Sequence, residues 1–333
     1  MGGGIAAAVV GASTPHWLRA AAAGPALAAS GPRKRLMRVA HITDVHVQPE
    51  LRAAEGLAAC LRHIQSHADR PGLILNTGDC IMDSMTKDRA RTEVQWQVWN
   101  SVWKSECSLP VQHAIGNHDI WGWNKNKSGT TGNEGAWGKR WAMDALGLEK
   151  PFHSFDRGGW HFIGLDSVQP RDDAYTAYLD DEQFAWLEAD LAAVDPKTPV
   201  LLMSHIPIVS VTPMMTENGG DGEAVRIGKS SMHGDYRRIR KLFARHPNVK
   251  TCLSGHIHLV DRVDYHGVTY LCNGAVSGGW WKGSRLGECD PGYALLDLYD
   301  DGSVERQYVT YGWVPASSEP EPEKEAAATP AGA

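Results

Sequence analysis

The chain has 333 residues and a net charge of −6, from 33 basic and 39 acidic side chains. This length allows one large domain or two modest ones, with enough residues to bury a sizeable core. The acidic balance argues against a nucleic-acid-binding surface, and the six cysteines contain no Cys-x-x-Cys pair, which excludes the usual structural zinc knuckle.

Residues 1–30 are rich in alanine and glycine and almost free of charge. Residues 1–12 resemble the apolar part of an export signal, and Ala26-Leu27-Ala28 has the pattern of a signal-peptidase site. The basic segment that normally precedes them is missing, so a disordered tail is the alternative. An export signal would place the protein in the periplasm or outside the cell, and without one it would be cytoplasmic. The stretch is too short and too rich in glycine for stable membrane insertion.

Segments with strand and helix patterns alternate through the next part of the chain. This alternation predicts a layered α/β fold. The predicted strands are 36–43, 73–77 and 110–115, and the predicted helices between them are 53–68 and 88–103.

The second half adds three predicted hairpins, at 152–165, 261–272 and 293–309. It also contains predicted helices at 181–191 and 235–245 and predicted strands at 200–204 and 249–254. After Val314 the chain is rich in Ser, Glu, Pro and Ala, so 315–333 is predicted to be a disordered tail. The folded domain is therefore predicted at 36–314.

Polar side chains follow five of the predicted strands. In a sheet rich in parallel strands these ends meet at one edge, so their side chains would lie close together. Asp, His and Asn are ligands suited to ions such as Mn, Fe or Zn. The candidate residues are Asp44, His46, Asp79, Asn117, His118, Asp119, His205, His256 and His258.

These blocks resemble the signature of the calcineurin-like metallophosphoesterases and occur in the family's order over residues 36–310. The blocks are Asp44-x-His46, Gly78-Asp79, Gly116-Asn-His-Asp119, His205 and Gly255-His-x-His258. The most similar branch is the bacterial cyclic-nucleotide and glycerophosphodiester phosphodiesterases, although that branch usually has Glu in place of Asp119. The purple acid phosphatase branch is disfavoured because it supplies a tyrosine soon after the Gly-Asp block, and none follows Asp79 here.

The resemblance implies a four-layer α/β/β/α sandwich of two mixed β-sheets flanked by helices, with metals at one rim. It also implies two divalent or trivalent metal ions, Mn, Fe or Zn. The implied ligands are Asp44, His46 and His258 for one ion, Asn117, His205 and His256 for the other, and Asp79 as the bridge.

The resemblance further implies the chemistry of the site. A hydroxide between the metals would attack phosphorus. His118 would stabilise the phosphoryl group or protonate the leaving oxygen. Asp119 would orient His118 through a hydrogen bond.

The expected function is hydrolysis of a small-molecule phosphate ester, with a phosphodiester preferred. A phosphomonoesterase would use the same ligands and remains an alternative. A nuclease would need a basic trough, and a non-catalytic binding module would be expected to have lost ligands, so both are less favoured. The predicted specificity loops are 121–133, 212–233 and 280–290. Their tryptophans, including Trp280 and Trp281, would either wall a cleft or simply pack. The sequence leaves the metal pair and the oligomeric state open.

Overall fold

The computed structural model describes residues 32–216, 225–283 and 289–314. The described residues from Lys34 onward belong to one unit. The predicted export signal at 1–30 and the predicted tail at 315–333 lie outside the described residues and stay predictions. Parts of the predicted loops 212–233 and 280–290 also lie outside them.

The described part of the chain alternates strands and helices. In chain order its elements are β1 (Arg35–Ile42), α1 (Ala53–Ser66), β2 (Ile74–Asn76), α2 (Arg89–Glu106), β3 (Val111–His113), α3 (Lys125–Ser128), α4 (Arg140–Leu146), β4 (His153–Arg157), β5 (Trp160–Leu165), β6 (Val168–Arg171), β7 (Ala174–Ala177), α5 (Asp181–Ala193), β8 (Val200–Ser204), a 3-10 helix (Thr212–Met215), α6 (Tyr236–Phe243), β9 (Val249–Ser254), β10 (Val263–Tyr265), β11 (Val268–Cys272), β12 (Gly292–Tyr299) and β13 (Val304–Thr310).

Two large sheets, both mixed, contain most of the strands. The first has the order β13-β12-β1-β2-β3, with β1, β2 and β3 parallel and the other two strands antiparallel to their neighbours. The second has the order β10-β11-β9-β8-β5-β4, with four central parallel strands and antiparallel strands at both edges. Strands β6 and β7 form a separate hairpin.

The second sheet is covered on both faces, as its side-chain alternation shows. Successive residues of a strand point to opposite faces. In β8, Leu201 and Met203 pack with Val39 of β1 in the core between the two sheets. Leu202 points the other way and packs with Leu187 of α5. A strand buried on both faces needs an almost continuous apolar run, which is what β8 has.

The first sheet follows the same pattern. Val39 of β1 faces the other sheet, whereas Ala40 and Ile42 join a cluster with Leu61 of α1 and Trp96 of α2. The layers are therefore helices, sheet, sheet and helices, and the predicted four-layer α/β/β/α sandwich is confirmed. Among the described residues, none of the helices is long and apolar enough to span a bilayer.

Candidate dinuclear metal site

At one rim of the two sheets, backbone hydrogen bonds join the loop after β1 to the loop after β2, and the loop after β8 to the loop after β9. The N–H of Asp44 donates to the carbonyl of Gly78 (3.0 Å), and the N–H of His46 donates to the carbonyl of Asp79 (2.9 Å). In the second sheet, Gly255 N–H donates to the carbonyl of His205 (3.1 Å). These bonds bring the strand-end side chains to one place.

The first cluster consists of Asp44, His46 and His258, and all three side chains are buried. The Nε2 atoms of the two histidines lie 3.0 Å apart. The Oδ1 atom of Asp44 lies 3.3 Å from Nε2 of His258 and 3.9 Å from Nε2 of His46. The other carboxylate oxygen accepts hydrogen bonds from the Thr43 hydroxyl group and from the backbone N–H of His256. Oδ1 is thus the oxygen that faces the histidines.

The second cluster consists of Asp79, His205 and His256, with Asn117 beside them. The Nε2 atom of His205 lies 3.0 Å from Oδ1 of Asn117 and 3.2 Å from Nδ1 of His256. It also lies 3.3 Å from Oδ2 of Asp79. Two imidazoles, an amide oxygen and a carboxylate therefore converge on one point.

Asp79 links the two clusters through a single oxygen. Its Oδ2 atom lies 3.3 Å from His205 and 3.7 Å from His46, measured to Nε2 in both cases. Its Oδ1 atom accepts a hydrogen bond from the backbone N–H of His118 at 2.8 Å. Only one carboxylate oxygen is thus turned toward both histidines.

Five residues of the two clusters have left-handed backbone conformations. Their φ angles are 52° for Asp44, 47° for His46, 53° for Asp79, 71° for His256 and 61° for His258. For residues other than glycine each such conformation costs of order 1–3 kcal/mol and persists only where the surroundings enforce it. Backbone strain concentrated on one set of side chains is typical of a functional site.

Glycines let the backbone approach these carboxylates closely. A Cβ atom at Gly116 would lie 2.2 Å from Oδ1 of Asp79, and one at Gly255 would lie 2.3 Å from Oδ2 of Asp44. Any side chain at either position would displace the carboxylate. This explains why glycine precedes the ligand blocks in both loops.

The buried charges of the clusters depend on one another. Burial would raise the pKa of Asp44, but the positive charge of His258 holds it well below its ordinary value. Burial lowers the pKa of His205, and the negative charge of Asp79 outweighs this and raises it to about 9. Two buried carboxylates that remain ionised require positive charge beside them.

The donor set fits metal ions. Oδ1 of Asp44, the oxygen that faces the histidines, is buried without a hydrogen-bond partner among the described residues. The Nδ1–H groups of His205 and His258 donate to the carbonyls of Thr77 (2.9 Å) and Gly278 (3.0 Å). These bonds leave the Nε2 lone pairs directed into the clusters, as in metal-binding histidines.

The sequence profile of the calcineurin-like phosphoesterases matches residues 37–260, about two thirds of the chain. This chain belongs to the calcineurin-like phosphoesterase family. It is therefore a metal-dependent hydrolase of phosphoric esters. Family membership accounts for the two clusters, because the family uses a dinuclear metal site.

Several known proteins resemble this phosphoesterase. A 3',5'-cyclic-nucleotide phosphodiesterase of Nostoc sp. is 27% identical over 281 residues, which cover 80% of this chain and 89% of that protein. Purple acid phosphatase 22 of Arabidopsis thaliana is 29% identical over 128 residues, 37% of this chain and 25% of that protein. A dimetal phosphatase from Danio rerio has the same fold, with a TM-score of 0.54 at 18% identity, over 84% of this chain and all of that one.

His118 and Asp119 lie beside the clusters, but not in the arrangement expected from the sequence. The His118 ring packs edge-on against His46, with centroids 4.6 Å apart, and its Nδ1 is bonded to the carbonyl of Met82. Asp119 does not orient this ring, so that prediction is wrong. Its carboxylate instead accepts four backbone N–H groups, from Asp79, Cys80, Ile81 and Gly116, at 2.7–3.3 Å.

Asp119 is positioned to hold the loop after β2 rather than a catalytic ring. Burial and the charge of Asp79 raise the pKa of Asp119 to about 7, against the opposing effect of the backbone N–H groups. The backbone geometry of the Gly-Asp block therefore depends on a carboxylate from the neighbouring loop.

Two aromatic residues beside the clusters were not included among the candidate site residues. Tyr175 of the β6–β7 hairpin lies edge-on to His256, with ring centroids 6.0 Å apart. Trp280 lies 4.7 Å from His258 and 6.1 Å from His46, again between ring centroids. The sequence pattern predicts no element at the hairpin, and it leaves open whether Trp280 walls a cleft or packs.

Proposed function

We propose that this phosphoesterase hydrolyses phosphodiesters at two metal ions held by the residues of the two clusters. The observation that carries the proposal is the position of Asp79 Oδ2, within 3.3 Å of His205 and 3.7 Å of His46. One oxygen common to two sets of ligands is an arrangement that can bridge a pair of neighbouring ions. The proposed ligands are Asp44, His46 and His258 for one ion, Asn117, His205 and His256 for the other, and Asp79 for both.

The preference for a diester is supported by the Nostoc relative, whose similarity covers more of this chain than that of the purple acid phosphatase. The Nostoc relative is a cyclic-nucleotide phosphodiesterase, and the similarity covers 80% of this chain. The purple acid phosphatase similarity is confined to 37% of the chain. The residues between Asp79 and helix α2 also contain no tyrosine, which is the ligand that the purple acid phosphatase branch would require there.

The protein's own groups hold and position the reacting atoms. Bound metal ions would supply Lewis acidity, activating water and neutralising negative charge on the phosphoryl group. His118 donates its Nδ1–H to the Met82 carbonyl, so Nε2 is the nitrogen left to face the substrate. When both ring nitrogens carry protons, Nε2–H would donate to the phosphoryl group or give its proton to the leaving oxygen. The backbone N–H of His118 donates to Asp79 at the same time, so the residue proposed as general acid is tied through its backbone to the proposed bridging ligand.

The test compares a diester with a monoester of the same leaving group. The Mn-loaded full-length protein is assayed with bis-p-nitrophenyl phosphate and with p-nitrophenyl phosphate. We expect a higher kcat/KM for the diester, and a loss of roughly 100-fold or more in His118→Ala, in line with the usual contribution of general acid–base catalysis. A higher kcat/KM for the monoester would favour a phosphomonoesterase, for which the purple acid phosphatase similarity is the supporting observation. Cleavage of neither ester would contradict the proposal.

A further inference from the structure

Trp280 and Trp281 are consecutive large residues in left-handed backbone conformations, with φ angles of 54° and 67°. Such a conformation is a clear outlier for a bulky side chain. Each costs of order 1–3 kcal/mol and persists only where neighbouring contacts enforce it. The pair therefore indicates that this loop is held in one shape against its local preference.

Trp281 is the anchor of the loop. Its side chain is fully buried, and its indole N–H donates to the backbone carbonyls of Val45 (2.9 Å) and His46 (3.1 Å). Its ring lies against Gly56 of α1, where a Cβ atom would come within 2.1 Å of it. The neighbouring residue, Trp280, consequently has little freedom of position.

Two further bonds tie the same loop to the first metal cluster. The Ser277 hydroxyl group donates to the carbonyl of Asp44 at 2.7 Å. The Gly278 carbonyl accepts the Nδ1–H of His258 at 3.0 Å. The loop 277–281 thus contacts every residue of that cluster, and it presents the Trp280 ring beside them.

The Trp280 ring lies beside the site and is only partly buried. It is tilted against His258 and His46, with centroid distances of 4.7 Å and 6.1 Å. By contrast, Trp121, Trp123 and Trp281 are buried. A flat apolar ring that is held rigidly and left partly open to solvent at a phosphoester site is suited to stack with a flat substituent of the ester.

We propose that Trp280 is a stacking surface for the base of a nucleotide substrate, which makes nucleoside phosphodiesters the substrate class of this site. The inference rests on the proposed function, because the phosphoryl group must be held by the adjoining clusters. Stacking of a base on an aromatic ring contributes about 1–3 kcal/mol, equivalent to a factor of roughly 5–150 in affinity. A ribose phosphate without a base would not gain this contribution.

The experiment measures binding by isothermal titration calorimetry and does not require turnover. The Mn-loaded full-length protein is titrated with adenosine 5'-monophosphate and with ribose 5-phosphate, which differ only in the base. We expect at least 5-fold tighter binding of the nucleotide, in accordance with the lower limit for stacking. Equal affinities in the unmodified protein would overturn the inference without any variant being needed.

Variants then test whether the Trp280 ring causes the tighter binding of the nucleotide. Trp280→Leu should weaken nucleotide binding at least 5-fold and ribose phosphate binding by less than 2-fold, whereas Trp280→Phe should retain most of the preference. Trp186→Leu is the matched control, because Trp186 is also half-buried but packs on Phe152 (centroids 4.9 Å apart). Equal weakening of both ligands in Trp280→Leu would overturn the inference and would indicate a packing role.

The outcome is separable from that of the proposed function. If bis-p-nitrophenyl phosphate is hydrolysed but the base gives no gain in affinity, only the stacking inference fails. If the nucleotide binds more tightly than ribose phosphate but no diester is hydrolysed, the proposed function fails and a nucleotide-binding site remains.

Discussion

Asp79 and Asp119 are both buried aspartates of the rim, and their surroundings give them different roles. Asp79 directs one oxygen at two histidines. The carboxylate of Asp119 accepts backbone N–H groups, two on each oxygen. The first can hold metal ions, and the second supports the loop from which the first projects. Residue type and spacing cannot distinguish these roles, because both residues follow an apolar strand and a glycine-containing turn.

Replacement of Asp119 by asparagine should therefore reduce stability. The amide introduced at position 119 would direct its own N–H donors at two backbone N–H groups, which would be left unsatisfied in a buried site. We expect Asp119→Asn to lose about 2–4 kcal/mol in the free energy of unfolding, measured by denaturant titration at pH 8, where the carboxylate is ionised. Asp172→Asn, at an exposed turn position, is the control and should change stability by less than about 0.5 kcal/mol. Equal effects of the two substitutions would contradict this role for Asp119.

At the scale of elements, the strands and the long helices could be predicted because their signals are local. Continuous apolar runs mark strands buried on both faces, such as β8, and Asp88 caps α2 by accepting the N–H of Arg91 at 2.8 Å. The β6–β7 hairpin was missed. Three of its eight strand residues are exposed, so the apolar alternation that indicates a strand is weak there. Its functional contact, Tyr175 on His256, exists only after the chain has folded.

The candidate ligands could be named from the sequence for a similar reason. They follow strands whose order and direction place their ends together. Their positions in the sequence are therefore enough to predict that their side chains lie close together. The contacts made by Asp119 and those made by the loop 277–281 could not be predicted from the sequence. These depend on hydrogen bonds between segments far apart in sequence, such as Ser277 to Asp44.

Helix α1 is positioned by Trp281, and Gly56 is the residue that makes this contact possible. A Cβ atom at position 56 would lie 2.1 Å from the Trp281 ring, and the two bonds of the indole N–H oppose movement of that ring. Gly56→Ala should therefore destabilise the protein by about 1–3 kcal/mol through overpacking, less the intrinsic helix preference of alanine. Because Trp281 also bonds the carbonyl of His46, the same variant should bind the first metal ion more weakly.

Thermal denaturation and metal titration of Gly56→Ala give both quantities. Gly72→Ala is the matched control, since a Cβ atom there would have no neighbour within 4 Å. That substitution should be neutral or slightly stabilising, because it restricts the unfolded chain. A Gly56→Ala protein as stable as the control would show that the Trp281 contact can relax without loss.

For the whole molecule, the two metal clusters join the two sheets. Asp44 and Asp79 follow strands of the first sheet, whereas His205 and His258 follow strands of the second, and the N–H of His256 already donates to Asp44 across this boundary at 2.8 Å. Ions bound by both sets of ligands would bind the folded chain and not the unfolded one. Their binding should consequently add to the free energy of unfolding.

We expect saturating Mn to raise the melting temperature relative to the chelator-treated protein. At a free metal concentration about 100 times the Kd, the gain is about 2.7 kcal/mol, or roughly 4–5 °C for a domain of this size. Differential scanning calorimetry checks this, with Asp79→Asn as the variant that should respond least, because it alone alters the oxygen facing both clusters. A full response in Asp79→Asn would show that the ions bind independently of the bridge. No response in the unmodified protein would mean that the sheets are held together by their apolar core without a contribution from metal.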